Sequence, residues 1–138
     1  MFERTEFGKH LEVMNRVLNA GSLRADIISN NLSNADDPNF KRTTLSFESQ
    51  LRRALESEKL PSTPAALTNP RHIPFDRPMD WREVKPIRNL EHLSTMDNNG
   101  NNVDVEVETM EFLRTQMTNN LLTAAIASHF DRISLVLR

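Results

Sequence analysis

Ile27-Ile28-Ser29-Asn30-Asn31-Leu32-Ser33-Asn34-Ala35-Asp36-Asp37-Pro38-Asn39-Phe40-Lys41-Arg42 decides how the chain folds: its first half keeps the apolar rhythm of a long helix and its second half stops one. Pro38 has no N–H to continue a helical ladder, and it disfavours the α region for Asp37 before it. The helix is therefore predicted to end near Ala35 or Asp36. Asn31, Ser33, Asn34 and Asp36 carry short side chains that bond the freed carbonyls and amides of a helix end. Asp37-Pro38-Asn39-Phe40 then fits a β-turn, with Asp first, Pro second and Asn third, where Asn accepts φ > 0 in a type II turn. Asn31, Asn34, Asp36 and Pro38 thus form the candidate junction that fixes the angle at which the chain leaves the helix.

Upstream of the junction, Phe7, Leu11, Met14, Leu18, Gly21, Ala25, Ile28, Leu32 and Ala35 advance by alternating steps of four and three. Steps averaging 3.5 residues are the coiled-coil spacing. They predict a helix from about Thr5 to Asn34, roughly 45 Å long at 1.5 Å per residue. Gly21 costs helix propensity but lets a neighbouring backbone come close. An ordinary amphipathic helix on a globular core is the plainer alternative.

Downstream, Leu45, Phe47, Leu51, Ala54 and Leu55 suggest a short helix, roughly Ser46 to Lys59. Pro61, Pro64, Pro70, Pro74, Pro78 and Pro86 then exclude a regular helix and a central strand alike. This stretch reads as a surface excursion or a linker ordered on assembly, with Trp81, Phe75 and Ile73 as anchors. A second long helix follows. Asn101 or Asn102 is the predicted N-cap, and Asp104, Glu106, Glu108 and Glu111 lie at the positive end of its dipole. Val107, Met110, Leu113, Met117, Leu121 and Ala124 form a near-heptad seam, continued with one irregular step by Ala127, Phe130, Ile133 and Leu137. About 35 residues would span roughly 50 Å, enough to lie along the first helix.

The expected fold is all-α: long N- and C-terminal helices paired as a coiled-coil hairpin, with an irregular Pro-rich central segment. Its parts are an N-terminal coiled-coil helix over residues 1–36, a turn and short helix over 37–59, the irregular segment over 60–95, and a capping loop with the C-terminal helix over 96–138. Such a hairpin buries one seam internally, so its other apolar positions must meet neighbouring subunits. The candidate assembly interface is Leu11, Met14, Leu18, Ile28, Leu32, Met110, Met117 and Leu121.

Composition narrows the function classes. The 138 residues are 38% apolar, with a mean hydropathy of −0.53, low for a self-contained globule. Net charge is −2, and the 17 cations are scattered, so no basic footprint for nucleic acid is present. Cysteine is absent, which removes disulfides and thiolate metal sites. Met1-Phe2-Glu3-Arg4-Thr5-Glu6 does not open a secretory signal peptide, and no apolar run approaches a membrane span. From composition alone this reads as cytoplasmic.

No chemistry of an enzyme is visible. Asp97, Asn99, Asn101 and Glu108 match positions 1, 3, 5 and 12 of an EF-hand, but the required Gly at position 6 is Asn102, so the stretch reads as a helix-capping loop. His10, His72, His92 and His129 have no metal-ligand spacing and no nucleophile to serve. Met14, Met110 and Met117 are read as packing residues. The sequon Asn31-Leu32-Ser33 lies inside a helix end and is taken as chance. No cofactor, metal or small-molecule substrate is expected.

Asn31-Leu32-Ser33-Asn34-Ala35-Asp36-Asp37-Pro38-Asn39-Phe40 resembles a signature near the N-terminus of bacterial flagellar rod and hook proteins. That signature reads asparagine-isoleucine-alanine-asparagine, then alanine-aspartate-threonine-proline-glycine-tyrosine. Here Asp37 stands for Thr, Asn39 for Gly and Phe40 for Tyr; Asn39 keeps the turn geometry, and Phe40 keeps the ring without the hydroxyl. Thr68-Asn69-Pro70-Arg71-His72-Ile73 resembles a central threonine, proline, histidine segment of proximal rod proteins. Asn99-Gly100-Asn101-Asn102-Val103-Asp104 is similar to the opening of their C-terminal helix, and Thr123 falls where they commonly carry Tyr. The alignable parts cover roughly residues 7–55 and 96–138.

The resemblance implies a structural subunit at the membrane-proximal end of the rod, lying in the periplasmic space and exported without a cleaved signal peptide. It implies torque transmission through interlocked helices. The implied partners are other rod proteins, copies of this chain, a rod adaptor protein at the base, the membrane ring and the flagellar export apparatus. The alternative is a cytoplasmic helical adaptor or export chaperone, which would share the heptads but need neither the junction nor export.

Overall fold

The computed structural model describes residues 5–59, 68–69, 71–72, 79–94, 96 and 100–137. Helix α1 spans Glu6–Ser33, strand β1 Thr43–Ser46, helix α2 Glu48–Ser57, strand β2 Ile87–Leu90 and helix α3 Val105–Val136. Strands β1 and β2 pair as a two-stranded sheet, which corrects the all-α expectation. Thr43 and Thr44 are β-branched residues suited to a short strand, and four residues are too few to show a period in the sequence. Among the described residues, no helix is long and apolar enough to cross a membrane.

The chain divides into two compact units, one made of residues 1–45 with 88–138 and the other of residues 46–87. In the first, α1 and α3 run antiparallel. Three contacts set their register: Asn31 meets Glu108, Gly21 lies under Asn119, and the Phe7 ring meets the edge of His129 with centroids 5.8 Å apart. A Cβ built on Gly21 would run into the Asn119 amide, so the amide rests against the glycine and an alanine there would have to push it aside. Ala20, Ile27, Ile28 and Val103 supply this unit's buried apolar side chains.

The face that α3 turns to α1 is not the predicted seam. Glu108, Phe112, Thr115, Asn119, Leu122, Ile126, His129 and Ile133 advance by alternating four and three, and all are buried or half-buried. Val107, Met110, Leu113, Met117 and Leu121 are exposed. The physical reason is that Glu108, Thr115 and Asn119 occupy interhelical positions, so hydrophobicity does not mark that side.

The predicted cap also shifts. Asp104 is the N-cap of α3, its carboxylate accepting from the N–H groups of Glu106 (2.9 Å) and Val107 (3.1 Å). Asn101 and Asn102 point their amides elsewhere. At the other end of the pair, the Thr5 hydroxyl caps α1 by accepting from Gly8 N–H at 3.2 Å.

The unit of residues 46–87 has its own core of Phe47, Leu51, Ala54, Trp81 and Val84. Trp81 is fully buried there, and the Arg82 guanidinium stacks over its ring at 4.4 Å. Ser57 Oγ donates to Ala54 O and accepts from Met79 N–H, tying the end of α2 to the returning chain. Asn69 makes a local turn, its side-chain oxygen accepting from Arg71 N–H and its carbonyl from His72 N–H. Ile73, Phe75 and five of the six prolines of the predicted irregular segment lie outside the described residues.

Candidate functional site

The end of α1 forms through local bonds. Asn34 N–H reaches back to Asn30 O and Asn31 O at 3.2 Å, and Asn34 Nδ2 donates to Asn30 O at 2.7 Å. Asp37-Pro38-Asn39-Phe40 is closed by Phe40 N–H donating to Asp37 O at 3.3 Å. Asn39 has φ 60, the left-handed conformation that a type II turn demands at its third residue. Gly100, at φ 81, faces Asn39, and a Cβ there would lie 2.9 Å from Asn39 Oδ1. Asp36 and Pro38 are exposed at the turn.

Asn31 does more than end a helix. It is fully buried; its Nδ2 donates to Thr43 O (2.8 Å) and to Glu108 Oε2 (3.0 Å), while its Oδ1 accepts from Thr43 N–H (3.1 Å). One side chain therefore joins α1, β1 and α3. Glu108 is 1% exposed and also accepts from Arg42 Nε at 2.6 Å, and Arg42 lies 3.6 Å from Glu91. Two donors converge on the Glu108 carboxylate, so the ion pair is hydrogen-bonded on both oxygens, the condition under which burying it is tolerable.

Two adjacent asparagines complete this clasp. Asn101 Nδ2 lies within hydrogen-bond distance of three carbonyls just past the end of α1, Asn34 O (3.1 Å), Ala35 O (2.7 Å) and Asp37 O (2.9 Å), of which Asn34 O also accepts from Asp37 N–H and Asp37 O from Phe40 N–H. Its Oδ1 accepts from Val103 N–H at 2.7 Å. Asn102 Oδ1 accepts from Arg42 N–H at 2.6 Å, and its Nδ2 donates to Glu91 O and Ser94 Oγ. Lys41 Nζ donates to Gly100 O and Ser94 O. Among the described residues, no buried side-chain nitrogen or oxygen lacks a partner.

Sequence reasoning placed Asn31 and Asn34 at this junction but read Asn101 and Asn102 as caps and Glu108 as a dipole acid; it missed Arg42. The available signal was Glu108 itself, a carboxylate in the first turn of a helix and in phase with Thr115 and Asn119. Asn101 and Glu108, two of the EF-hand positions, are bonded within the clasp. Among the described residues, no group of His, Cys, Asp or Glu could hold a metal ion.

The candidate interface residues are distributed over two kinds of position. Leu11, Met14, Leu18 and Leu32 are half-buried and Ile28 is buried, whereas Met110, Met117 and Leu121 are 67%, 73% and 72% exposed. The outer stripe of α1, Asn15, Asn19, Ser22, Asp26 and Ser29, is polar, while that of α3, Met110, Leu113, Met117 and Leu121, is apolar.

No protein-family model matches the chain. Curated relatives do. The chain is 38% identical over 133 residues to the flagellar basal body rod protein FlgB of Borreliella burgdorferi, covering 96% of this chain and 98% of that protein. It is 33% identical over 132 residues to FlgB of Borrelia hermsii, covering 96% and 98%. FlgB of Bacillus subtilis is 28% identical over 132 residues, covering 95% of each chain. The first two of these relatives, at least 33% identical over nearly the whole of each chain, show the family: the chain belongs to the FlgB family of flagellar basal body rod proteins.

Proposed function

We propose that the chain is a structural subunit of the proximal rod, which assembles side by side with copies of itself and other rod proteins and transmits torque through interlocked helices. The observation that carries this reading is the apolar outer stripe of α3 on a chain of this family: large side chains exposed along a regular helix face are suited to burial against a neighbour. Leu11, Met14, Leu18, Ile28, Leu32, Met110, Met117 and Leu121 form the assembly interface in this reading. Ile28 and the half-buried residues of α1 would act by holding α3 in place, the exposed residues of α3 by touching the neighbour. Asn31, Asn34, Asp36 and Pro38 set the exit angle of the chain.

The same reading puts the subunit in the periplasmic part of the basal body, delivered by the flagellar export apparatus without cleavage of a signal peptide. Its neighbours there are the rod adaptor protein and the membrane ring. Isolated hook-basal bodies, analysed by mass spectrometry, test it. The expected result is copurification of this chain with an intact N-terminus at a few copies per basal body. Recovery from the cytoplasm alone would overturn the reading and favour an adaptor or export chaperone.

A further inference from the structure

Sulfur is placed unevenly in this chain, which has six methionines and no cysteine. Met14 on α1 is half-buried, while Met79, Met96, Met110 and Met117 are exposed. Helix α3 carries two of these, Met110 and Met117, both on its outer stripe and about 10 Å apart at 1.5 Å rise per residue. The face of α3 that packs on α1 contains no sulfur, and neither does the clasp at the base of the hairpin. Trp81, the single tryptophan, is fully buried. Among the described residues, exposed thioethers are therefore the groups that an oxidant meets first.

Resting on the reading of this stripe as an assembly face, we propose that Met110 and Met117 are a reversible oxidation site: hydrogen peroxide converts both to sulfoxides, and a subunit so marked folds but does not enter the rod. In each reaction a sulfur lone pair attacks one peroxide oxygen. The S–O bond forms as the O–O bond breaks; sulfur is oxidised by two electrons, and the other oxygen leaves as water after proton transfer. Reductases specific for methionine sulfoxide restore the thioether, so the mark can be erased before assembly.

The placement separates assembly from folding. A sulfoxide is polar where the thioether is apolar, so two of them put unpartnered acceptors into the row formed with Leu113 and Leu121. The contacts that set the register of α1 and α3, at Asn31, Gly21 and Phe7, involve neither sulfur. Met79 belongs to the other compact unit and Met96 lies before α3, so both are exposed thioethers outside the stripe and serve as internal controls.

Two measurements test the proposal. The purified full chain is treated with hydrogen peroxide and mapped by peptide mass spectrometry. Met110 and Met117 are expected to oxidise ahead of Met14, with Tm kept within about 2 °C, the shift of an ordinary surface change. In flagellated cells, Met110→Gln with Met117→Gln, a neutral polar stand-in for the two sulfoxides, is expected to lower incorporation into hook-basal bodies at least about tenfold, as two unpartnered polar groups in an apolar contact should. Met79→Gln with Met96→Gln is expected to incorporate as the unsubstituted chain does. The unsubstituted chain and Met110→Leu with Met117→Leu are also coexpressed during peroxide exposure, each scored against its own untreated level, and only the former is expected to fall. The inference is overturned if Met14 oxidises as fast as the α3 pair, if oxidation unfolds the chain, if the Gln pair on α3 incorporates fully, or if peroxide lowers both coexpressed chains equally. Absence of the unsubstituted, untreated chain from basal bodies instead overturns the rod reading, and the assembly role of the site with it.

Discussion

The base of the hairpin and the outer face of α3 break the ordinary distribution of residues in opposite directions. At the base, Asn31, Asn101, Asn102 and Glu108 are buried. On the outer face, Met110, Leu113, Met117 and Leu121 are exposed. Buried polar groups persist only where every donor and acceptor is matched, and exposed apolar rows persist where something else covers them. The base is therefore complete within one chain, while in the proposed assembly the outer face is completed by another.

The largest effect should come from opening the base. Glu108→Ala is expected to cost about 3 kcal/mol, the low end for breaking a buried ion pair, because Arg42 keeps Glu91 at 3.6 Å. Urea unfolding checks it, and a loss below about 1 kcal/mol would mean the clasp is not what holds the base. Asn101→Ala removes the buried amide that donates to Ala35 O and holds the turn after α1, and should cost about 2 kcal/mol by the same measurement.

The middle of the helix pair should respond less and with a changing sign. Gly21→Ala gains about 1 kcal/mol of helix propensity but forces the Asn119 amide aside. It should therefore stabilise an Asn119→Ala background by about 1 kcal/mol and lose that gain in the parent chain. Additive Tm shifts would show that Gly21 and Asn119 do not meet.

Leu121→Asp should change stability least, within about 0.5 kcal/mol, and yet abolish incorporation into basal bodies. Wild-type swimming in soft agar for this variant would remove the outer face from the assembly interface.

How much of this was legible in the sequence follows from the same contrast. The end of α1 could be read because Pro38 and Asn39 act locally, and both the helix stop and the positive φ at Asn39 appear where the residues demand them. The span of α1 was legible from its apolar steps. The inner face of α3 was not, because Glu108, Thr115 and Asn119 stand where a pattern reader looks for Leu. The α3 seam picked by hydrophobicity is the outward one, since an assembling helix can have an apolar row on the side that meets no part of its own chain. The roles of Asn101 and Asn102 were hidden because their partners lie on segments far away in the sequence, Asn34 being 67 residues from Asn101.

The bond between Asn31 and Glu108 spans 77 residues of chain. Contacts this distant must overcome a large loop-closure entropy before they contribute anything, so folding should be slow compared with helix formation. Helix α1 can form early, but its buried amide finds its carboxylate only when α3 arrives. A nascent chain therefore has no stable half-folded hairpin, and the surface that the proposed assembly would use forms only in a late, cooperative step.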